Sequence, residues 1–219
     1  SDMIIGINGY AGSGKDTVGT IIQYLYCPDT KDFSVEHAVK NYEDYEYALY
    51  DESNWEIKKF AGKLKDIASH LTGIPIEDFE DQEFKKTNLG PEWWTTCDEG
   101  HQPMTVRDFL QKLGTDALRN GLHTNVWVNA LMADYTPDED GDLPNWVITD
   151  TRFPNEAEAI KAKGGIVIRV NRPGVKPIND HPSETGLDNW KFDYTIANVS
   201  DIFDLKESVR GILKHAKLL

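Results

Sequence analysis

The chain has 219 residues, enough to bury one sizeable core, with two small domains allowed but not required. Its 39% hydrophobic and 11% aromatic residues are ordinary for a globular protein and exclude a wholly disordered chain. A formal charge of −14 and a pI near 4.8 exclude a surface that attracts nucleic acid or an anionic membrane. An anionic ligand must therefore be held by a local cluster of cations and backbone amides. Arginines are scarce, six in all: Arg107, Arg119, Arg152, Arg169, Arg172 and Arg210. Cys27 and Cys97 fit no metal-ligand spacing and are expected to stay reduced. No apolar run approaches bilayer length and no basic-plus-apolar leader is visible, so the expectation is a soluble cytoplasmic protein. Residues 1–2 read as a cloning remnant ahead of a domain spanning 3–219.

"MIIGIN" (3–8) is a short apolar run ending near a glycine and reads as a buried strand. Val18, Ile21, Ile22 and Leu25 then recur at helical spacing, so a helix starts near Lys15. The acidic, tyrosine-rich stretch 28–55 has no clear period and reads as an irregular loop excursion. A second helix carries Phe60, Leu64, Ile67, Ala68 and Leu71 on one side and stops at Gly73. Residues 74–104, with scattered charges and breakers, resemble an insertion over a core. At 105–120 a helix opens on a capping-box pattern from Thr105 to Asp108 and meets Gly114.

The last third alternates more clearly. "NWVITD" (145–150) is a buried strand ending in an acid, and "PNEAEAIKAKGG" (154–165) a helix with proline at its start and glycine at its end. "IVIRV" (166–170) is a strand, 171–186 a loop, "DYTIAN" (193–198) a strand, and a C-terminal helix follows with Ile202, Leu205, Val209, Ile212 and Leu213 inward. Strands alternating with helices predict an α/β fold with a parallel sheet flanked by helices. Ligands of such sheets bind beyond the carboxyl ends of the strands.

One motif sits at that edge. In "GYAGSGKDT" (9–17), Gly9, Gly14 and Lys15 have the spacing of a phosphate loop, between a strand and a helix as that function requires. Glycines let successive amides face one concavity, the helix adds its positive end, and Lys15 would reach terminal phosphates. Asp16 stands where the usual pattern has a serine or threonine. It could meet Mg²⁺ through water, or face the substrate as a base or orienter, with Thr17 on an α-phosphate. It could also be only a first-turn acid favoured by the helix dipole.

Other constellations are more ambiguous. "TDTRFPNE" (149–156) offers Asp150 for a metal's water shell and Arg152 for a phosphate, but an arginine–carboxylate pair closing the loop explains them equally well. Arg107 and Gln111 share a helical face, which is more often simply solvated. Turn chemistry accounts for Pro173 and Gly174 after Arg172. His181 reads as a loop histidine, Lys65 as a solvated lysine and Trp127 as a core residue.

Taken together, "GYAGSGKDT", "FAGKLKD" (60–66), "VRDFLQKLGTD" (106–116), "VWVNAL" (126–131), "VITDTRFPNEAEAIKAKGGIVIRVNRPG" (147–174) and "HPSETGL" (181–187) resemble the bacteriophage-type deoxynucleoside monophosphate kinases. The match covers most of the chain in order, apart from 28–55 and 74–104, and the Gly-Lys-Asp-Thr loop is itself the family's form. The resemblance implies a P-loop NTPase fold with insertions for the nucleoside monophosphate and a lid at 172–187. It implies transfer of the γ-phosphoryl of ATP, with Mg²⁺, to a deoxynucleoside monophosphate. By similarity Gly12, Ser13, Gly14, Lys15, Asp16, Thr17 and Arg172 would serve ATP. Lys65, Arg107, Gln111, Gly114, Trp127, Asp150, Arg152 and Glu156 would surround the acceptor. Lys15, Asp16 and Arg152 would carry the reaction, with Asp16 and Asp150 near the metal through water. Asp108 departs from the second basic residue expected after Arg107, and Arg119 could supply that cation. The implied partners are the two small-molecule substrates, with no nucleic acid and no membrane. A homodimer stays open, and a phage-encoded chain would work in the host cytoplasm. The same motifs leave room for a P-loop kinase acting on a dephospho-coenzyme A-like or phosphomevalonate-like acceptor, or for a nucleotide-binding module without catalysis.

Overall fold

A computed structural model describes residues 2–29 and 32–219. Residue 1 of the suggested remnant and residues 30 and 31 of the acidic stretch lie outside the described residues. The chain forms two compact units, one of residues 1–59 with 134–219 and one of residues 60–133.

The first unit begins with strand β1 (Ile4–Asn8), every residue of it buried, and helix α1 (Lys15–Tyr26). Val18, Ile21 and Ile22 of α1 are fully buried, as their spacing predicts. The stretch read as an irregular excursion instead holds two helices, α2 (Val35–Lys40), capped by the Ser34 hydroxyl, and α3 (Tyr42–Ser53). Their period escapes a simple apolar pattern because α3 buries only Leu49 and Ser53. The rest of its contact comes from partly buried rings: Tyr24, Phe33, Tyr42 and Tyr45 pack around Cys27, Ala38 and Leu49. Burial lifts the Tyr42 phenol well above its usual range, with the nearby Glu46 charge adding to it, so the ring stays neutral in that cluster. Asn54 ends α3 in the left-handed region at φ 58° and leads into an unforeseen edge strand, β2 (Trp55–Lys58). Only Trp55 of that strand is buried, so no apolar run announces it.

The second unit contains α4 (Ala61–Thr72), closed by left-handed Gly73 at φ 71°. Short 3₁₀ turns and a small antiparallel hairpin, β3 (Thr95–Cys97) and β4 (Gly100–Gln102), follow. Helix α5 (Val106–Gln111) starts on the expected capping box: the Asp108 amide donates to Thr105 Oγ1 at 3.1 Å and the Thr105 amide to Asp108 Oδ2 at 3.4 Å. Gly114 does not stop it; the chain continues as a π-helical segment, Lys112–Asn120, before α6 (Val126–Met132). The unit has its own core of Ala68, Phe79, Leu89, Val106 and Phe109, so residues 74–104 supply core residues as well as covering them. Ile67 and Leu71, at 37% and 51% exposure, stay largely at the surface.

The chain then returns to the first unit with β5 (Asn145–Ile148), α7 (Pro154–Ala162), β6 (Ile166–Asn171), the short α8 (Pro182–Thr185), β7 (Tyr194–Ala197) and α9 (Ile202–His215). The five longer strands form one sheet in the order β2-β5-β1-β6-β7, and every pairing is parallel. Helices α1 and α9 bury Leu205, Val209 and Leu213 together with Ile21 and Ile22 in the main core. Among the described residues no helix is long and apolar enough to cross a membrane.

The packing of α3 is directly testable. Leu49→Ala should cost about 2–4 kcal/mol of unfolding free energy in urea denaturation, because it empties a fully buried site. Tyr47→Ala, on a ring 75% exposed, should stay within about 0.5 kcal/mol.

Candidate active site

Because all five strands run the same way, the loops leaving β1, β2, β5, β6 and β7 emerge at one edge. The loop after β1 occupies the middle of it. Gly12 and Gly14 take φ values of 81° and 96°, which side-chain-bearing residues rarely adopt. Gly14 is also sterically fixed: a Cβ there would stand 2.6 Å from Asn198 Nδ2, which donates to the Ser13 carbonyl at 2.9 Å. Asn198, just past β7, thus props the loop from behind, although no spacing in the sequence marks it. Helix α1 begins at Lys15, so the amides of Lys15, Asp16 and Thr17 have no intrahelical acceptor. The Ser13 hydroxyl is buried with no hydrogen-bond partner among the described residues. Left-handed glycines, first-turn amides and an orphaned hydroxyl fit a bound phosphate chain. On the outer side Arg172, just past β6, donates to the Gly12 carbonyl at 3.4 Å, so its guanidinium lies against the loop.

Asp16 occupies the mouth of this cradle. Its Oδ2 lies 3.4 Å from Lys15 Nζ and its Oδ1 lies 3.2 Å from Lys59 Nζ. Lys59 follows β2 and belongs to no motif that sequence reading recognised. Partial desolvation pushes the Asp16 carboxyl upward, but the charges of Lys15 and then Lys59 outweigh it and hold the group below its usual range. The carboxylate–lysine contribution to stability is therefore present above the ordinary aspartate pKa and fades as pH falls through the lowered one.

The exits of β1, β5 and β6 are tied together. Asn8 Nδ2 donates to the Thr151 carbonyl at 2.8 Å, and the Thr151 amide to the Ile7 carbonyl at 3.2 Å. Arg169, 8% exposed, donates to the Asn8 side chain, reaches Asn171 at 2.9 Å and Asp188 at 3.5 Å, and stacks 4.5 Å from the Tyr10 ring. The Tyr10 hydroxyl donates to Asp188 at 2.8 Å. Burial, and then that bond, raises its pKa and keeps it a donor. Of the six arginines, Arg169 is the buried one that joins loop, sheet and the segment after α8, which composition alone did not single out.

Asp150 lies two residues past Ile148, the register partner of Gly6, so it stands level with Asn8 at the entrance to the loop. It is buried, and Arg152 is exposed. Glu156, 3% exposed, accepts the amides of Arg152 at 2.7 Å and Phe153 at 3.1 Å. It thereby closes the first turn of α7 and sets the path of the Arg152 backbone. His181 caps α8, its Nδ1 accepting the Ser183 amide at 3.2 Å, in keeping with a loop residue of local purpose.

The second unit gathers other predicted residues. Lys65 is not the solvated lysine its helix position suggested: it is 8% exposed and paired with Glu80. Arg107 Nη2 donates to Gln82 Oε1 at 3.2 Å, so both cations meet the segment 80–82, where no site residue was expected. Trp127 is a core residue, and its indole N–H donates to the Gly114 carbonyl at 2.8 Å. Gly114 sits flush on α4, where a Cβ would come within 2.9 Å of Leu64. Gln111 is half-buried at the end of α5. Asp108 is occupied by the capping box, which explains an acid next to Arg107. Arg119 lies on the π-helical segment.

A parallel sheet with a glycine-lysine loop between its central strand and α1 defines the class: a P-loop nucleotide-binding fold. The narrower assignment comes from comparison with known proteins. The family model described as deoxynucleotide monophosphate kinase matches residues 66–209, and the chain belongs to that family. A protein of Acanthamoeba polyphaga mimivirus is 29% identical over 227 residues, 98% of this chain and 97% of its own length. The deoxynucleotide monophosphate kinase of Enterobacteria phage T4 is 33% identical over 110 residues, 50% of this chain and 46% of its own. The deoxynucleoside-5'-monophosphate kinase of Escherichia phage T5 is 26% identical over 231 residues, 91% of this chain and 90% of its own.

The structural task of Glu156 is testable without substrate. Glu156→Ala should lower unfolding free energy by about 2 kcal/mol, since two amides of the turn lose their acceptor. Glu156→Gln, which keeps an acceptor oxygen, should recover most of it in the same denaturation assay.

Proposed function

We propose that the protein is a phosphotransferase that moves the γ-phosphoryl of ATP to a deoxynucleoside 5'-monophosphate, giving the diphosphate and ADP. The observation that carries this reading is the cradle at the centre of the carboxyl edge. It joins left-handed Gly12 and Gly14, the unpartnered Ser13 hydroxyl and Lys15 at the start of α1, with Arg172 against its outer side. Membership of the deoxynucleotide monophosphate kinase family supports the acceptor class.

Phosphoryl transfer asks little covalent chemistry of a protein. It needs donor and acceptor in line, water kept out and the charge on the moving group neutralised. The loop amides, Ser13 and Thr17 would bind the donor's phosphates, with Lys15 on the β- and γ-groups and Arg172 at the outer side. Mg²⁺ would arrive with the triphosphate and lower its charge, and Asp16 and Asp150 would reach the ion's water shell. Arg152 is free of the sheet yet backed by the Glu156-closed turn, a suitable mount for a guanidinium that grips the transferring group. Lys65, Arg107, Gln111, Gly114 and Trp127 would take the acceptor. Its phosphate would replace Glu80 and Gln82 as the partners of Lys65 and Arg107. The segment 172–187 would exclude water as a lid.

The test is coupled ADP release with Mg·ATP against a panel of deoxy- and ribonucleoside monophosphates. Release should depend on a deoxynucleotide and vanish in Lys15→Ala. ATP binding without acceptor-dependent release would overturn the kinase reading in favour of a binding module. Arg152→Ala should lower kcat by about 100-fold or more while the Kd for ATP changes by less than about threefold. Equal loss in both would move Arg152 to the donor side. Asp16→Ala should lose turnover and keep nucleotide binding, and unchanged turnover would reject its part in the reaction.

A further inference from the structure

A carboxylate beside the phosphates of a bound nucleotide poses a charge problem. The usual loop puts a lysine and a neutral hydroxyl in these positions and so presents one positive charge. Lys15 and Asp16 alone would present none. The structure supplies the missing charge from another strand: Lys59 Nζ lies 3.2 Å from one Asp16 oxygen while Lys15 Nζ lies 3.4 Å from the other. Two lysines against one aspartate restore a single positive charge to the mouth of the loop.

The two lysines are not equivalent. Lys15 belongs to the loop itself, at the first residue of α1, and its side chain is 15% exposed. Lys59 approaches from the end of β2, with a side chain 36% exposed. Its place is set by the sheet: the Thr149 amide donates to the Lys58 carbonyl at 3.2 Å, holding the end of β2 on β5. The preceding lysine cannot do the same work. Lys58 Nζ is 2.8 Å from Glu56 and 5.2 Å from the Trp146 ring, so its charge is engaged elsewhere. When a triphosphate claims Lys15, Asp16 loses one of its two cations. Without the other, a bare carboxylate would face the phosphate oxygens and repel them.

We propose that Lys59 is the positioning residue that makes an aspartate tolerable in this phosphate loop, keeping Asp16 paired and turned aside while Lys15 engages the donor nucleotide. The inference rests on reading the loop as the donor site. Lys59 acts through Asp16, and its loss matters only while Asp16 carries a charge.

The experiment is calorimetric titration of Mg·ATP, with no acceptor present, into the wild-type protein, Lys59→Met, Asp16→Asn and the double variant, each checked for an unchanged Tm. Lys59→Met should raise the Kd about tenfold in the wild-type background and less than about twofold in the Asp16→Asn background. Lys59→Arg, which keeps the charge, should bind within about threefold of wild type. Equal losses in both backgrounds would make Lys59 a direct phosphate ligand and overturn the proposal, as would no loss in either. Should Lys59→Met unfold the protein, Lys59→Gln gives the same comparison with a polar side chain. Because no acceptor is used, failure of deoxynucleotide turnover leaves the result standing, whereas absence of Mg·ATP binding in the wild type would overturn both readings.

Discussion

The parallel pairing of β1 with β5 on one side and β6 on the other is the constraint on which the rest of the first unit depends. It brings three chain exits to one edge, and the register sets how they line up. Gly6 opposite Ile148 puts Asp150 level with Asn8, while Asn8 opposite Arg169 puts the buried guanidinium beside the entrance to the loop. Parallel strands leave their last carbonyls and side chains without a sheet partner at that edge. Here Asn8 answers Thr151, Arg169 answers Asn8, and Asn198 answers Ser13. The loop is thus tied to the chain exits on either side of it before any phosphate arrives, and little ordering is left for the ligand to supply.

That fixed cradle makes the identity of residue 16 consequential. A flexible loop could swing an unwanted carboxylate away; a loop pinned by Asn198 and by left-handed glycines cannot. The charge has to be answered where it stands, and the chain answers it with Lys15 and Lys59. The oddity visible in one short motif is therefore resolved by a residue more than forty positions away, at the end of an edge strand.

What the sequence revealed and what it hid follow one physical division. β1, β5, β6 and α1 bury continuous or periodic apolar residues, and their chemistry-bearing neighbours could be placed from the pattern alone. The glycines and lysine of the loop were legible because backbone geometry dictates residue type there. Helix α3 was not, since aromatic rings and a buried serine replace the usual aliphatic stripe, and β2 was not, since only Trp55 is buried. Glycine weakens helices, yet Gly114 lies inside a continuous helical segment. In the structure its lack of a side chain serves close contact with Leu64, and its carbonyl serves the Trp127 indole. Lys59, Asn198, Glu80 and Gln82 were missed for a different reason. Each works through a partner distant in sequence, and nothing in its own neighbourhood signals that partner.

The same economy of charge recurs at three of the cations expected to meet phosphate. Lys15 rests on Asp16, buried Lys65 on Glu80, and Arg107 on the Gln82 amide oxygen. In a chain of net charge −14, cations left unpaired at the surface would be drawn to its own abundant carboxylates. A designated resting partner for each of these three prevents arbitrary pairing and holds the side chain in a fixed place. Each resting partner offers one charge or none, and a phosphate group offers up to two with three acceptor oxygens. A phosphoryl ligand can therefore displace these partners, while a lone carboxylate gains little by exchange. On the proposed function, preference for phosphate over other anions would come from this exchange, without an excess of positive charge that the overall composition does not provide.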